Sequence, residues 1–194
     1  AWLYAGICIV GFAVSRVLIT RRHPDLLAER RRFTEHENIM PWDRVLAPIT
    51  GLGGLLIPLA AGMDALPGRT AVLPLPFKLA ALLLILAGWT AGTWALVENR
   101  FFSGVVRIQT DRGHWVVSSG PYRIIRHPGY AVALLTYAAS PVFLDSAWTV
   151  VPVVLLAVVL VIRTRLEDSA LREQLDGYRE YAGHVRYRLL PGVW

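Results

Sequence analysis

A single cysteine, Cys8, stands in 194 residues, so the chain has no disulfide framework and no thiolate metal site. The histidines His23, His36, His114, His127 and His184 show no ligand spacing such as a helical pair four apart, and no structural metal is expected. There is no P-loop and no glycine fingerprint after a strand, which removes the commonest soluble nucleotide folds. Charge is scarce too: charged residues make up 18% of the chain against 55% hydrophobic, and the mean hydropathy is +0.46. Such a chain is too apolar for an ordinary soluble domain of this size. The net charge of +6 does not point to nucleic acid, because the arginines are not gathered on one soluble face with interleaved aromatics. The expected partner is the lipid bilayer.

What the chain has in quantity is apolar runs. Trp2 to Thr20, Val45 to Met63, Phe77 to Val97, Gly129 to Leu144 and Ala147 to Ile162 are long enough, or nearly so, to span a hydrocarbon core of ~30 Å as helices. The expected fold is an all-α integral membrane protein with five transmembrane helices. It forms a single domain, with residues 1–97 as a three-helix scaffold and residues 98–194 carrying the chemistry. The first run is too long for the apolar core of a signal peptide and no basic stretch precedes it, so it is expected to be a helix.

Arginines fall in alternate loops. Arg21, Arg22, Arg30, Arg31, Arg32 and Arg44 follow the first run; Arg100, Arg107, Arg112, Arg123 and Arg126 follow the third; Arg163, Arg165, Arg172, Arg179, Arg186 and Arg188 follow the fifth. The remaining two loops carry only Arg69 and Lys78. By the positive-inside rule the N-terminus is expected outside, and the C-terminus and any site near it in the cytosol.

Between the first two runs, the segment from Pro24 to Arg32 reads as a short amphipathic helix on the inner membrane surface. In the second run, Gly51, Gly53 and Gly54 beside Ala47 and Ala60 suit a close helix neighbour, and Pro48 and Pro58 are expected to be tolerated by packing. Gly88 and Gly92 in the third run invite the same reading, while Glu98 and Asn99 at its end are candidates for a role in a site. From Arg100 to Ser119, β-branched runs flank Asp111-Arg112-Gly113, the pattern of a hairpin.

The stretch Gly120 to Tyr130, Gly-Pro-Tyr-Arg-Ile-Ile-Arg-His-Pro-Gly-Tyr, puts charge directly against an apolar run. Pro128 suits the first position of a helix, leaving Arg126 and His127 at its mouth. Free amides and the positive end of the helix dipole there would favour a carboxylate or phosphate. After the fifth run, Leu166, Leu171 and Leu175 continue a helix that Gly177 ends, and Tyr178 and Tyr181 open another. The last two runs, joined by Asp145-Ser146, must return both inner ends to one place. Arg126, His127, Tyr130, Glu167, Asp168, Tyr178, Tyr181 and Arg186 or Arg188 are therefore expected around one pocket. Arginine and helix-end amides suit a carboxylate, acids and aromatic faces suit a cation, and flat rings suit a base. S-adenosylmethionine presents all three groups and needs no metal.

The string His114-x-x-Val117-x-x-Gly120-Pro-Tyr122-x-x-x-Arg126-His-Pro-x-Tyr130, with Glu167-Asp168-x-x-Leu171, Tyr178-x-x-Tyr181 and Arg188-x-x-Pro191, resembles the isoprenylcysteine carboxyl methyltransferase family. Phospholipid N-methyltransferases share its C-terminal part. The resemblance covers roughly the second half of the chain. It implies a membrane methyltransferase that uses S-adenosylmethionine and acts on a carboxylate, thiol or amine of a lipophilic or small-molecule acceptor. It implies a cofactor site of His114, Val117, Gly120, Tyr122, His127, Pro128, Tyr130, Glu167, Asp168, Tyr178 and Tyr181, and a catalytic set of Arg126, Glu167 and Arg188, with Arg126 toward the reacting group. The chain departs from the family where Asp168 replaces a second Glu and where Arg186 and Arg188 share the tail position. Some membrane sterol and steroid reductases that use NAD(P)H resemble the Arg-His-Pro-x-Tyr segment, but with Asn where this chain has Gly129. A non-catalytic membrane protein anchored by interfacial charge accounts for each residue singly, though not for the meeting of the motifs.

Overall fold

The computed structural model describes residues 2–32, 35, 36, 38–64 and 73–194; Arg69 lies outside the described residues. Within them the chain is helical: α1 (Trp2–Arg22), α2 (Pro24–Arg31), α3 (Asp43–Gly53), α4 (Leu56–Asp64), α5 (Leu75–Glu98), α6 (Pro128–Leu144), α7 (Val150–Gln174) and α8 (Tyr178–His184). α1 and α5 are long and apolar enough to cross a membrane, and α3 with α4 forms a third such segment if counted as one. α6 is a shorter apolar helix. Large apolar side chains point outward from them, among them Leu83 at 67% and Leu59 at 66% exposure. That is the surface of a protein whose solvent is lipid.

The core lies where α1, α4, α5, α6 and α7 meet, at Tyr4, Ile57, Ala81, Ile85, Ala139 and Leu156. Because lipid is as apolar as leucine, close packing and buried hydrogen bonds must hold such helices together. Tyr4 and Ser140 share a hydrogen bond of 3.0 Å, and Ser15 and Thr93 one of 2.7 Å. α5 packs most extensively on α6, and Gly88 permits it: a β-carbon there would stand 2.1 Å from the Thr136 hydroxyl and 3.3 Å from the Val132 carbonyl.

Several expectations are corrected. The second apolar run is two helices bent by 44°. Pro58 has no amide hydrogen for the carbonyl of Gly54, four residues back, and its ring crowds that position; the helix breaks there, at Gly54 and Leu55. Gly53 receives the side chain of Leu156 and not a neighbouring backbone, and Gly51 faces open space. The connection between the last two runs is five residues, 145–149, and not two. Asp145 caps α6 in the left-handed conformation at φ 54, and Thr149 donates to the Ser146 carbonyl at 2.6 Å.

The expected hairpin from Arg100 to Ser119 has no strands. The chain does reverse at the turn Thr110–Arg112 and Gly113 (φ 61), but side chains from elsewhere take the backbone groups that a ladder would have paired. Asp43 accepts the Val106 amide at 2.5 Å, and Asn38 donates to the Ile108 carbonyl at 3.1 Å. α2 is helical as expected, yet it does not simply lie on a surface. Leu26 is fully buried and Glu29 is 5% exposed, and the helix grips the segment 100–112.

At the end of the bundle away from the arginine-rich loops, called here the far end, Asp145 pairs with Lys78 at 2.7 Å and accepts the Leu73 amide at 3.0 Å. Asp64 accepts from Ser146 and, at 3.3 Å, from the Trp148 amide. Both acids thus tie the α6–α7 turn to its neighbours.

Candidate functional site

At the arginine-rich end, the exit of α5, the loop that follows, the entry to α6, the last turns of α7 and the face of α8 surround one cleft. The loop contributes Asn99, Phe101, Phe102, Gln109, His114, Trp115 and Val117; the approach to α6 contributes Tyr122, Arg126, His127 and Tyr130; α7 contributes Arg163 and Glu167; α8 contributes Tyr178 and Tyr181. Of the residues expected at the site, His114, Val117, Tyr122, Arg126, His127, Tyr130, Glu167, Tyr178 and Tyr181 line this cleft. Gly120, Pro128, Asp168 and Arg188 do not. Gly120 shapes the entry: its φ of 55 is cheap only for glycine, and a β-carbon there would stand 2.9 Å from Glu98.

α6 begins at Pro128 as expected, but its mouth is already occupied. The amides of Arg126 and His127 donate to the carbonyls of Tyr187 and Arg188, each at 2.9 Å, and those of Tyr130 and Ala131 to the His127 carbonyl. The expectation that the amides at this mouth are free is therefore corrected for these four: the folded-back tail takes two and His127 takes two.

Glu167 and Asp168 are neighbours on α7 with different surroundings. Glu167 lines the cleft and accepts a hydrogen bond from the Tyr130 hydroxyl at 2.6 Å. Asp168 is fully buried. It accepts from Arg126 at 2.6 and 3.2 Å, Arg188 at 2.9 Å, Arg172 at 3.0 Å, Tyr178 at 3.1 Å and His127 at 3.4 Å. Burial alone would push its carboxyl up, but the hydrogen bonds and charges of His127 and Arg126 outweigh that and hold it well below the usual carboxylate range. Arg126 binds Asp168 and not Glu167, and its other terminal nitrogen reaches the Val185 and Arg186 carbonyls at 2.6 and 2.7 Å. Between the two tail arginines, Arg188 joins this knot, while the side chain of Arg186 is exposed.

A second set of ion pairs beside the cleft was not read from the sequence. Arg107 lines the cleft but turns its guanidinium to Glu29, two bonds of 2.8 Å, and to Asp111 at 2.7 and 3.1 Å. Arg163 is bidentate on Asp43 at 2.7 and 3.0 Å and lies 5.5 Å from the Tyr130 ring centroid. Asp25 receives Arg100 and Arg112, each at 2.6 Å. In the sequence these residues are scattered charges in basic loops, and only their mixed signs hinted at pairing.

Burial pushes the His114 imidazole down to about 4, with the charges of Arg112 and Arg107 adding to it. The neutral ring accepts the Gln109 amide on Nδ1 at 3.3 Å and packs on Phe101 with centroids 4.5 Å apart. Burial also raises the hydroxyls of Tyr122, Tyr178 and Tyr181, so they stay neutral donors and apolar faces.

The cleft thus presents one acid, Glu167, among tyrosine and phenylalanine rings, with Arg163 one turn before it on α7 and Gln109 on the loop. That set fits a ligand carrying a cationic centre and a flat ring. Residues 79–173 match the isoprenylcysteine carboxyl methyltransferase (ICMT) family. Comparison with curated proteins gives no match.

Proposed function

Because this chain belongs, through residues 79–173, to the isoprenylcysteine carboxyl methyltransferase family and is in that general sense a membrane methyltransferase, we propose that it transfers a methyl group from S-adenosylmethionine to a carboxylate, thiol or amine of a lipophilic acceptor. The observation that carries this reading is Glu167. It is the one carboxylate lining the cleft among the described residues, and it stands beside the Tyr122, Tyr130 and Tyr178 rings, where a cation is favoured by charge and by aromatic faces.

When bound, the cofactor supplies an electrophilic methyl group on a sulfonium. Glu167, held by Tyr130, would take its amino group. The tyrosines and Phe101 would flank its ring and keep water out. Positioning of this kind can contribute ~7 to 11 kcal/mol to a displacement. Arg126, with its donors spent on Asp168 and the tail, acts as a positioning residue: it fixes the segment from which Tyr130 reaches Glu167.

The membrane arrangement belongs to the same proposal. α1, the bent pair α3–α4, α5, α6 and the apolar part of α7 make five spans, with the N-terminus outside and the cleft at the cytosolic face, as the loop arginines suggest. Cysteines placed at Arg69 and Gln174 in a Cys8→Ala background should label from opposite sides; labelling from one side removes this topology.

Thermal unfolding of the detergent-solubilised protein tests the reaction class. S-adenosylhomocysteine at ~100 times its dissociation constant should stabilise by about 2.7 kcal/mol, and Glu167→Ala should reduce that shift. Stabilisation by NADPH instead would favour a reductase, and stabilisation by neither would remove the cofactor reading.

A further inference from the structure

We propose that the junction of α1, α2 and the start of α6 binds the anionic headgroup, phosphate or carboxylate, of a membrane lipid through Arg30 and Arg16. The two arginines are not among the cleft-lining residues, although Phe102 beside Arg30 is, and both precede the family segment.

Arg30 projects from α2 and donates through Nη1 to the Phe102 carbonyl at 2.8 Å, with its Cζ 5.9 Å from the Phe102 ring centroid. Phe102 in turn packs on Gly129 at the start of α6. Among the described residues no carboxylate pairs with Arg30. A guanidinium carries five N–H donors in a fixed fork, so among the described residues most of these have no acceptor. None of its nitrogens is both buried and unpartnered, and the residue is half-buried. Arg16, on α1, shows the same pattern. Its Cζ lies 5.5 Å from the Phe12 ring centroid, and no carboxylate among the described residues meets it.

The contrast with nearby Arg163 is sharp, since Asp43 neutralises that residue through two bonds. Burial, and after it the charges of Arg16 and Arg163, pushes Arg30 down from the ordinary guanidinium value. Cations that repel one another at a low-dielectric boundary are costly unless an anion joins them, and a guanidinium fork matches phosphate or carboxylate oxygens in pairs. Position selects a lipid as the source. Arg16 stands six residues before the end of α1 at Arg22, about 9 Å along the axis. The neighbouring Phe12, Val14 and Val17 are 57%, 48% and 51% exposed, an apolar surface on which acyl chains can lie.

The test uses the full chain in a neutral detergent and does not depend on the methyltransferase reading. Short-chain phosphatidylglycerol should raise the unfolding temperature and phosphatidylcholine should not. Arg30→Gln and Arg16→Gln should each weaken the phosphatidylglycerol dependence about tenfold. Arg30→Lys should keep part of it, and Arg31→Gln, at an exposed position of α2, all of it. Equal shifts with both lipids would overturn the proposal, as would a phosphatidylglycerol shift that survives both Gln variants or falls equally in Arg31→Gln. An equal shift with inorganic phosphate would assign the site to a soluble anion and overturn the lipid. If Arg30→Gln fails to fold, native mass spectrometry of the unaltered protein decides: selective retention of phosphatidylglycerol supports the site, and equal retention of the two lipids rejects it.

Discussion

Asp168 draws Arg126, His127, Arg172, Tyr178 and Arg188 from positions 4 to 42 residues away, whereas Glu29 and Asp43 hold Arg107, Arg163 and the Val106 amide from 63 to 120 residues away. Both knots brace the same cleft. The first binds elements that already follow one another, so it fastens the tail and α8 over the site. The second binds α2 and α3 to the loop and, through Arg163, to α7, so it fixes where that loop lies. One closes the cleft; the other aligns it.

The comparison breaks most sharply at Asp168. Asp168→Ala leaves several cations facing a buried space without an anion, and removing one side of a buried ion pair costs about 3 to 5 kcal/mol. Thermal unfolding should show that loss. Limited proteolysis should also cut within residues 185–194 while the helical bundle persists. A variant of unchanged stability with a protected tail would mean that the knot is not what holds the segment down.

A smaller effect is expected from the other knot. Glu29→Gln keeps the shape but removes the charge facing Arg107, which should cost about 2 to 3 kcal/mol. Amide exchange should quicken across residues 103–112 and stay unchanged across α8. Equal quickening in both places would erase the distinction between closing and aligning.

The smallest effect concerns pH. His114 titrates near 6.5 in an unfolded chain and about 4 in the fold, so between these values the unfolded state binds more protons. Its contribution to stability is therefore complete above about 6.5, falls as pH drops, and is lost below about 4. Protonation would also end the bond from the Gln109 amide to Nδ1. His114→Gln should flatten this part of the stability profile, and an unaltered acid limb would show that other groups set it.

Much of the closing knot could be read in advance, because Pro128, Gly177 and the apolar runs dictate which chain ends meet. The aligning knot could not. Asp43 and Arg163 are 120 residues apart, and nothing local in either segment names the other. The choice between Glu167 and Asp168 was equally hidden: both lie on the same turn of α7, and only the packing of Tyr178 and the folded-back tail decides which acid is buried. Propensity misled at residues 100–119, where β-branched residues suggested strands. Side chains of α3 and of the segment before it took up those backbone groups instead. The break at Gly54 was within reach, since Pro58 points to it, but a run of even hydropathy conceals a change of direction.

The far-end turn of α6 and α7 turns these two helices into tweezers. Asp64 and Asp145 pin the turn to α4 and to the start of α5, so the pivot is at that end and the jaws are at Tyr130 and Glu167. A molecule entering or leaving between the jaws must part them there. The contacts of Asp168 and the tail lie at that same end, so they are the ones a parting of the two helices would break.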